Sequence, residues 1–210
     1  MTIALLNGSP KIKESASRTL LSDLKTFFPE GTKCVEIGLH SRNLPENEIE
    51  LLFRADAWVF SFPLYVDGIP SHLLSILCEL EEQYANHPEI SVYGIVNCGF
   101  YEGIQTEFAL QILQNWCVKA GYTWAGGVGV GGGGALPMLS EVKPGTGPKA
   151  PIDKTLQILA DTIQSRKQTE NHYVSVGMPR FLYKMAAQMG WRQMIRANGG
   201  KKKDLRNCPE

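Results

Sequence analysis

Apolar positions along the chain come in two textures that alternate. Short, nearly unbroken runs occupy the opening residues up to Leu6, then residues 33–37, 57–62, 90–96 and 122–130; the third stops at Pro63. Runs of this kind suit strands covered on both faces, as in a parallel sheet. Between them, apolar residues recur at helical spacing. Residues 18–28 place Leu20, Leu21, Leu24, Phe27 and Phe28 on one stripe, and residues 46–54 offer Ile49, Leu52 and Phe53. Residues 71–84 repeat Leu73, Leu74, Leu77, Leu80 and Tyr84, and residues 107–118 carry Phe108, Leu110, Ile112, Leu113, Trp116 and Cys117. Strand and helix in alternation predict βαβ units with right-handed crossovers. The expected fold is α/β, a doubly wound parallel sheet of five strands in the order 2-1-3-4-5.

After Leu136 the texture changes. Lys143-Pro144-Gly145-Thr146-Gly147-Pro148 has the composition of a loop, and a helix over residues 151–165 presents Ile152, Leu156, Leu159 and Ile163. Polar residues 168–172 precede a last apolar segment, 181–195, rich in Met and aromatic residues. The expected organisation is a domain over residues 1–168 and a helical C-terminal extension over 169–210. The extension reads as tail helices packed on the domain or on a partner subunit, with a lid over the ligand as the alternative.

Composition narrows the function classes. In a chain of 210 residues, Lys plus Arg equals Asp plus Glu at 21 each, so nothing marks it for nucleic acid. Lys201-Lys202-Lys203 beside Asp204 reads as a solvated terminus. No run approaches the roughly 20 apolar residues of a membrane helix. Met1-Thr2-Ile3-Ala4-Leu5-Leu6 lacks a basic leader, so Asn7-Gly8-Ser9 is read as a chance glycosylation sequon. Cys34, Cys78, Cys98, Cys117 and Cys208 are scattered and odd in number, as expected of reduced thiols in the cytoplasm. No clustered ligands suggest a metal.

The chemistry is expected at the carboxyl ends of the strands, around the switch point between strands one and three. The first loop reads Asn7-Gly8-Ser9-Pro10-Lys11 and runs into Ser15-Ala16-Ser17-Arg18-Thr19. A small-residue turn followed by a helix start aims backbone N–H groups and a positive dipole end at one point. Ser9, Ser15, Ser17 and Thr19 can add hydroxyls, and Lys11 and Arg18 charge, which together suit a phosphate monoester. The same residues also serve as an ordinary turn and N-cap. The Walker pattern G-x-x-x-x-G-K-[ST] is missing from the chain.

The second loop, Pro63-Leu64-Tyr65-Val66-Asp67-Gly68-Ile69-Pro70, is stiffened at both ends, and the third reads Asn97-Cys98-Gly99-Phe100-Tyr101-Glu102-Gly103. Together they can form an apolar slot edged by amide donors, which suits a planar heteroaromatic ring; covering the sheet end is the alternative. Gly127-Val128-Gly129-Val130-Gly131-Gly132 fits G-x-G-x-x-G, but no helix follows, and a flexible strand end near a substrate is the better reading. Cys98 with His72 as its base is a weaker idea than a buried, inert cysteine.

Three stretches in order carry a resemblance. They are Leu6-Asn7-Gly8-Ser9-Pro10-Lys11 with Ser15-x-Ser17, then Phe62-Pro63-Leu64-Tyr65-Val66-Asp67 with Ile69-Pro70, then Asn97-Cys98-Gly99-Phe100. Over residues 1–165 the chain resembles the flavodoxin-like NAD(P)H-dependent oxidoreductases, the group of FMN reductases and NADPH:quinone reductases. The tail from Gly190-Trp191-Arg192 to Lys203-Asp204-Leu205 is similar too. The resemblance implies a flavodoxin-like version of the doubly wound five-stranded sheet, with FMN bound and NAD(P)H as co-substrate. Ser9, Lys11, Ser15 and Ser17, with Pro10 and Arg18 beside them, would hold the FMN phosphate. Pro63, Leu64, Tyr65, Val66 and Asp67 would line the isoalloxazine ring and its pyrimidine edge, and Asn97, Cys98, Gly99, Phe100 and Tyr101 the opposite rim.

No protein side chain is implied as catalytic, since the flavin carries hydride or electrons to a quinone, free flavin or similar small acceptor. Tyr65, Phe100 and Tyr101 are the substrate-stacking candidates. The family also implies a homodimer or homotetramer. An electron-carrier flavodoxin and a non-enzymatic flavodoxin-like binding module are the alternatives; carriers tend to be acidic and this chain is neutral.

Overall fold

The computed structural model describes residues 1–139, 142–201 and 203–204. Lys202, Leu205 and Cys208, which figure in the sequence reading, lie outside them. The chain alternates β1 (Thr2–Asn7), α1 (Ala16–Thr26), β2 (Lys33–Gly38), α2 (Glu46–Phe53), β3 (Ala57–Pro63), α3 (Ser71–Gln83), β4 (Ser91–Asn97), α4 (Glu107–Ala120), β5 (Thr123–Val130), α5 (Ala150–Gln164), β6 (His172–Val174) and α6 (Arg180–Ala197). One-turn 3-10 helices stand before α4 and α5 and over Leu136–Leu139.

All strand pairings among the described residues are parallel, and the order is β2-β1-β3-β4-β5-β6. The sheet therefore has six strands, which corrects the expected five. The sixth pairs Val128, Gly129 and Val130 with His172, Tyr173 and Val174. It escaped the sequence pattern because three residues are too few to show a strand texture. Two compact units are present, Met1–Gly177 and Met178–Glu210. The expected boundary at 168/169 falls between α5 and β6.

Alternation along the strands divides the first unit into three layers. Ala4, Leu6, Trp58, Phe60, Phe62, Val92 and Val96 point one way and pack with Ile49 and Leu52 of α2, Leu73, Ile76 and Leu77 of α3, and Leu110, Leu113 and Trp116 of α4. Trp58 and Trp116 donate their indole N–H groups to the Leu52 carbonyl at 2.9 Å and the Leu77 carbonyl at 2.8 Å, so neither ring leaves a polar atom stranded. The intervening residues Ile3, Leu5 and Val59 face the opposite layer, where α1 buries Leu20, Leu21 and Leu24 and α5 buries Ile152, Leu156 and Ile163. Between α1 and α5, Lys149 Nζ lies 2.8 Å from Asp23 Oδ2, a buried ion pair. In the second unit α6 has no buried residue and carries Phe181, Met185, Met189 and Trp191 exposed.

Candidate functional site

Asn7 on β1, its register partner Ser61 on β3, and Asn97 at the end of β4, two positions further along, break the apolar pattern on the face that α1 covers. Their chain neighbours Leu6, Phe60, Phe62 and Val96 belong to the opposite core, so the three polar side chains point toward α1. That helix meets them with Ser15 at its N-cap and Ser17 in its first turn, and the connecting turn adds Ser9. Of the ten buried polar or charged residues described, these six gather at this end of the sheet. Such a concentration beneath a helix N-terminus departs from an apolar core and forms a cradle of neutral polar groups.

The hydrogen bonds show which way the donors face. Asn97 Nδ2 donates to Ser17 Oγ at 2.9 Å and to the Phe62 carbonyl at 3.1 Å. Ser15 Oγ accepts from the Arg18 N–H at 3.2 Å, and Ser9 Oγ accepts from the Lys11 N–H at 3.3 Å. In all three cases the hydroxyl oxygen accepts, which leaves its proton available to a ligand. Asn7 Oδ1 accepts the Ser9 N–H at 3.2 Å, while its Nδ2 and Ser61 Oγ are buried without a protein partner. Two orphaned polar atoms therefore stand at adjacent register positions. Thr19 does not join it, because its hydroxyl donates to the Ser15 carbonyl at 3.2 Å.

The three loops named from the sequence come together. The Gly8 N–H donates to the Ser61 carbonyl at 2.8 Å, and the Leu64 N–H to the Asn97 carbonyl at 2.7 Å. Gly8 lies so close to α3 that a Cβ there would stand 2.8 Å from Leu73 Cδ2 and 3.1 Å from Phe62 Cβ. In the second loop, Tyr65 and Gly68 exchange backbone hydrogen bonds at 3.1 and 3.0 Å, and Val66 and Asp67 between them take φ of 48° and 56°. This is the left-handed pair of a type I′ turn, uncommon for a β-branched residue, and backbone strain of that kind gathers at ligand sites. Val66 is fully exposed at its tip, with Asp67 exposed beside it.

The remaining candidates divide by where their side chains go. Tyr65 and Phe100 are 47% and 57% exposed, so each offers a ring face to solvent, and Tyr101 is half-buried. Nothing lies within 4 Å of the point where Gly99 would carry a Cβ. Leu64 packs inward against the core, and Pro63 is half-buried at the end of β3. Pro10, Lys11 and Arg18 are exposed at the rim of the cradle. Cys98 is buried, its sulfur 3.8 Å from the Phe100 carbonyl and 3.7 Å from that of Glu102, and burial pushes the thiol up. It braces the third loop, and burial favours its uncharged thiol over the thiolate.

Two features depart from the sequence reading. The glycines of residues 127–133 are a packing device, not a flexible strand end: a Cβ on Gly131 would collide with the Tyr101 carbonyl and the Gly103 amide, and one on Gly129 with Thr106 and Tyr173. The Gly132 and Gly133 N–H groups hold the Phe100 and Cys98 carbonyls at 2.6 and 2.7 Å. The idea of His72 as a base for Cys98 also fails, because His72 Nε2 contacts the Gly8 carbonyl at 3.2 Å. The sequence reading missed Asn7 and Ser61 as site residues. The signal was there, a lone serine in Trp58-Val59-Phe60-Ser61-Phe62 and an asparagine closing an apolar strand.

No protein-family model matches the chain, and no curated protein matches its sequence. Solved structures do. An azoreductase from Bacillus anthracis strain Sterne aligns at TM-score 0.52 and 15% identity, over 79% of this chain and all of its own. A flavodoxin from Streptococcus pneumonia TIGR4 aligns at 0.54 and 9% identity, over 79% of this chain and 99% of its own. The fold is flavodoxin-like. A flavone reductase gives 0.54 at 12% identity, over 81% of this chain and 66% of its own. In a flavodoxin-like sheet the crevice at the carboxyl ends of β1, β3 and β4 is the ligand position, and that is where the cradle and the exposed rings lie. Among the described residues no helix is long and apolar enough to cross a membrane, and no cluster of three or more His, Cys, Asp or Glu is placed to hold a metal ion.

Proposed function

We propose that the site binds FMN and that the protein is an NAD(P)H-dependent FMN oxidoreductase serving a quinone, free flavin or similar small acceptor. One observation carries the reading: six buried neutral polar side chains converge beneath the N-terminus of α1, and two of their polar atoms, Asn7 Nδ2 and Ser61 Oγ, await a partner. A phosphate monoester supplies acceptors for donors of this kind, and Lys11 and Arg18 at the rim add attraction without burying a charge. The exposed faces of Tyr65 and Phe100, with open space at Gly99, fit a planar ring beside that phosphate. The residues present therefore fit the group.

When bound, the flavin would accept hydride from a nicotinamide and pass reducing equivalents onward. The chain's own part is position and electrostatics. Ser9, Ser15 and Ser17 would hold the phosphate, with Asn97 keeping Ser17 aimed. In the stiff loop from Pro63 to Asp67, the Val66 and Asp67 N–H groups would face the pyrimidine edge, where they favour negative charge. Tyr65, Phe100 and half-buried Tyr101 would be stacking surfaces for the nicotinamide and then the acceptor, in sequence at one site. An association of two or four chains covering the exposed apolar residues of α6, and a cytoplasmic setting, belong to the same reading.

The experiment is anaerobic reduction followed by turnover. FMN-loaded protein should bleach on NADPH or NADH and recover its colour when menadione is added. Bleaching by dithionite alone, with neither nucleotide effective, supports the electron carrier instead. A protein that takes up no flavin supports the non-enzymatic module.

A further inference from the structure

The turn Asn7-Gly8-Ser9 has an electrostatic problem that its sequence does not solve. Its Gly8 and Ser9 N–H groups are taken by the Ser61 carbonyl and Asn7 Oδ1, and the peptide before Pro10 has no N–H, so the Gly8 and Ser9 carbonyl oxygens are left beside the hydroxyl cradle, where they would repel an anion. Two histidines from distant elements address this. His40, two residues past β2, places Nδ1 2.7 Å from the Ser9 carbonyl. His72, in the first turn of α3, places Nε2 3.2 Å from the Gly8 carbonyl. A carbonyl oxygen only accepts, so both ring nitrogens must be donors. The packing is built around the rings. A Cβ on Gly38 would lie 2.6 Å from His40 Nε2, so that glycine leaves the space in which the ring folds back. Gly8 allows the turn to settle against the first turn of α3.

We infer that His40 and His72 are positioning residues of the anion site, tying the Ser9 and Gly8 carbonyls so that neither oxygen faces the anion that the Ser9 hydroxyl meets. The inference rests on the proposed phosphate-bearing ligand and identifies what makes the cradle selective for it. Burial pulls the His72 pKa down, and the neighbouring His40 acts in the same direction, against the opposing pull of the Gly8 carbonyl. Neither ring needs to be charged to do this work, since the neutral tautomer that donates to the carbonyl is enough. The effect belongs to the phosphate end alone, so it must vanish for riboflavin, which has the ring and lacks the phosphate.

The test measures binding of FMN and of riboflavin to wild type, His40→Ala, His72→Ala, His40→Asn and His72→Gln, with melting temperature as a check on folding. The amide nitrogen of Asn mimics Nδ1 and that of Gln mimics Nε2, so the second pair keeps each donor while removing the ring. Each alanine variant should lower the FMN-to-riboflavin affinity ratio by about tenfold, the size expected when a donor that fixes one carbonyl is lost. Asn at 40 and Gln at 72 should restore most of it. An unchanged ratio in both alanine variants overturns the histidine inference and leaves the FMN reading standing. An equal fall for riboflavin overturns it as well, because that marks a general loss of structure. Wild-type protein that binds neither flavin overturns both.

Discussion

Replacing Asn97 tests the geometry of the site through stability, before any ligand is added. Its amide nitrogen donates to Ser17 Oγ and to the Phe62 carbonyl at 2.9 and 3.1 Å, and the residue is 5% exposed. Asn97→Ala removes both bonds and leaves two buried acceptors short of a donor, at a cost of about 1–3 kcal/mol. At 2–4 °C per kcal/mol for a chain of this size, the melting temperature should fall by about 2–12 °C. Asn97→Asp is nearly isosteric, yet it sets a carboxylate oxygen against the same two acceptors. Its cost should exceed that of the alanine variant at pH 7, because a buried charge then faces a carbonyl and loses its hydration. The charge also stands under the phosphate position, so FMN affinity should fall further than in Asn97→Ala. The assay is thermal unfolding by circular dichroism at pH 7, with FMN fluorescence titration of the variants that remain folded. An Asn97→Asp protein as stable as wild type would refute the reasoning, since it would mean that the amide oxygen, not the nitrogen, faces Ser17 and Phe62.

Four further outcomes are expected. Lys149→Met strips the fully buried cation from its pair with the largely buried Asp23 and should destabilise by about 3–5 kcal/mol, with part recovered on adding Asp23→Leu; a single variant within about 1 kcal/mol of wild type in urea titration would contradict this. Val66→Asn should raise the melting temperature by about 2–4 °C, because asparagine accepts the left-handed conformation that Val66 is forced into, and a lower value would contradict the strain. The Thr2 N–H, helped by Arg166, holds the Asp56 carboxyl below the usual range. Its contribution is therefore present above the unfolded value near about pH 4 and lost as pH falls through the folded one, so Asp56→Asn should flatten the acid limb of a melting-temperature profile. Iodoacetamide should label exposed Cys78 in the native protein while buried Cys98 and Cys117, whose thiols burial pushes up, react only on unfolding, as peptide mapping would show.

Much of the fold was legible because its signals are local. Five strands and the helices between them follow from runs such as Ala57-Trp58-Val59-Phe60 and from stripes such as Leu73, Leu77 and Leu80. β6 was not, because His172-Tyr173-Val174 becomes a strand only through pairing with β5. At the site, Ser9, Ser15 and Ser17 were legible as a turn and a helix start, both local devices. Ser61 matters through register, which sets it beside Asn7, and Asn97 through its place two positions further along the same face, at the end of β4. His40 and His72 are harder still, since their carbonyl partners lie 31 and 64 residues away along the chain. The glycines of β5 show the converse: a local pattern suggested a dinucleotide loop, and tertiary packing explains them.

The most direct measurement is a fluorescence titration of wild-type protein with FMN and, separately, with riboflavin at equal ionic strength. A cradle of six buried polar groups that grips the phosphate predicts quenching by both, with FMN about a hundredfold tighter. Equal affinities, or no quenching by FMN, would contradict it.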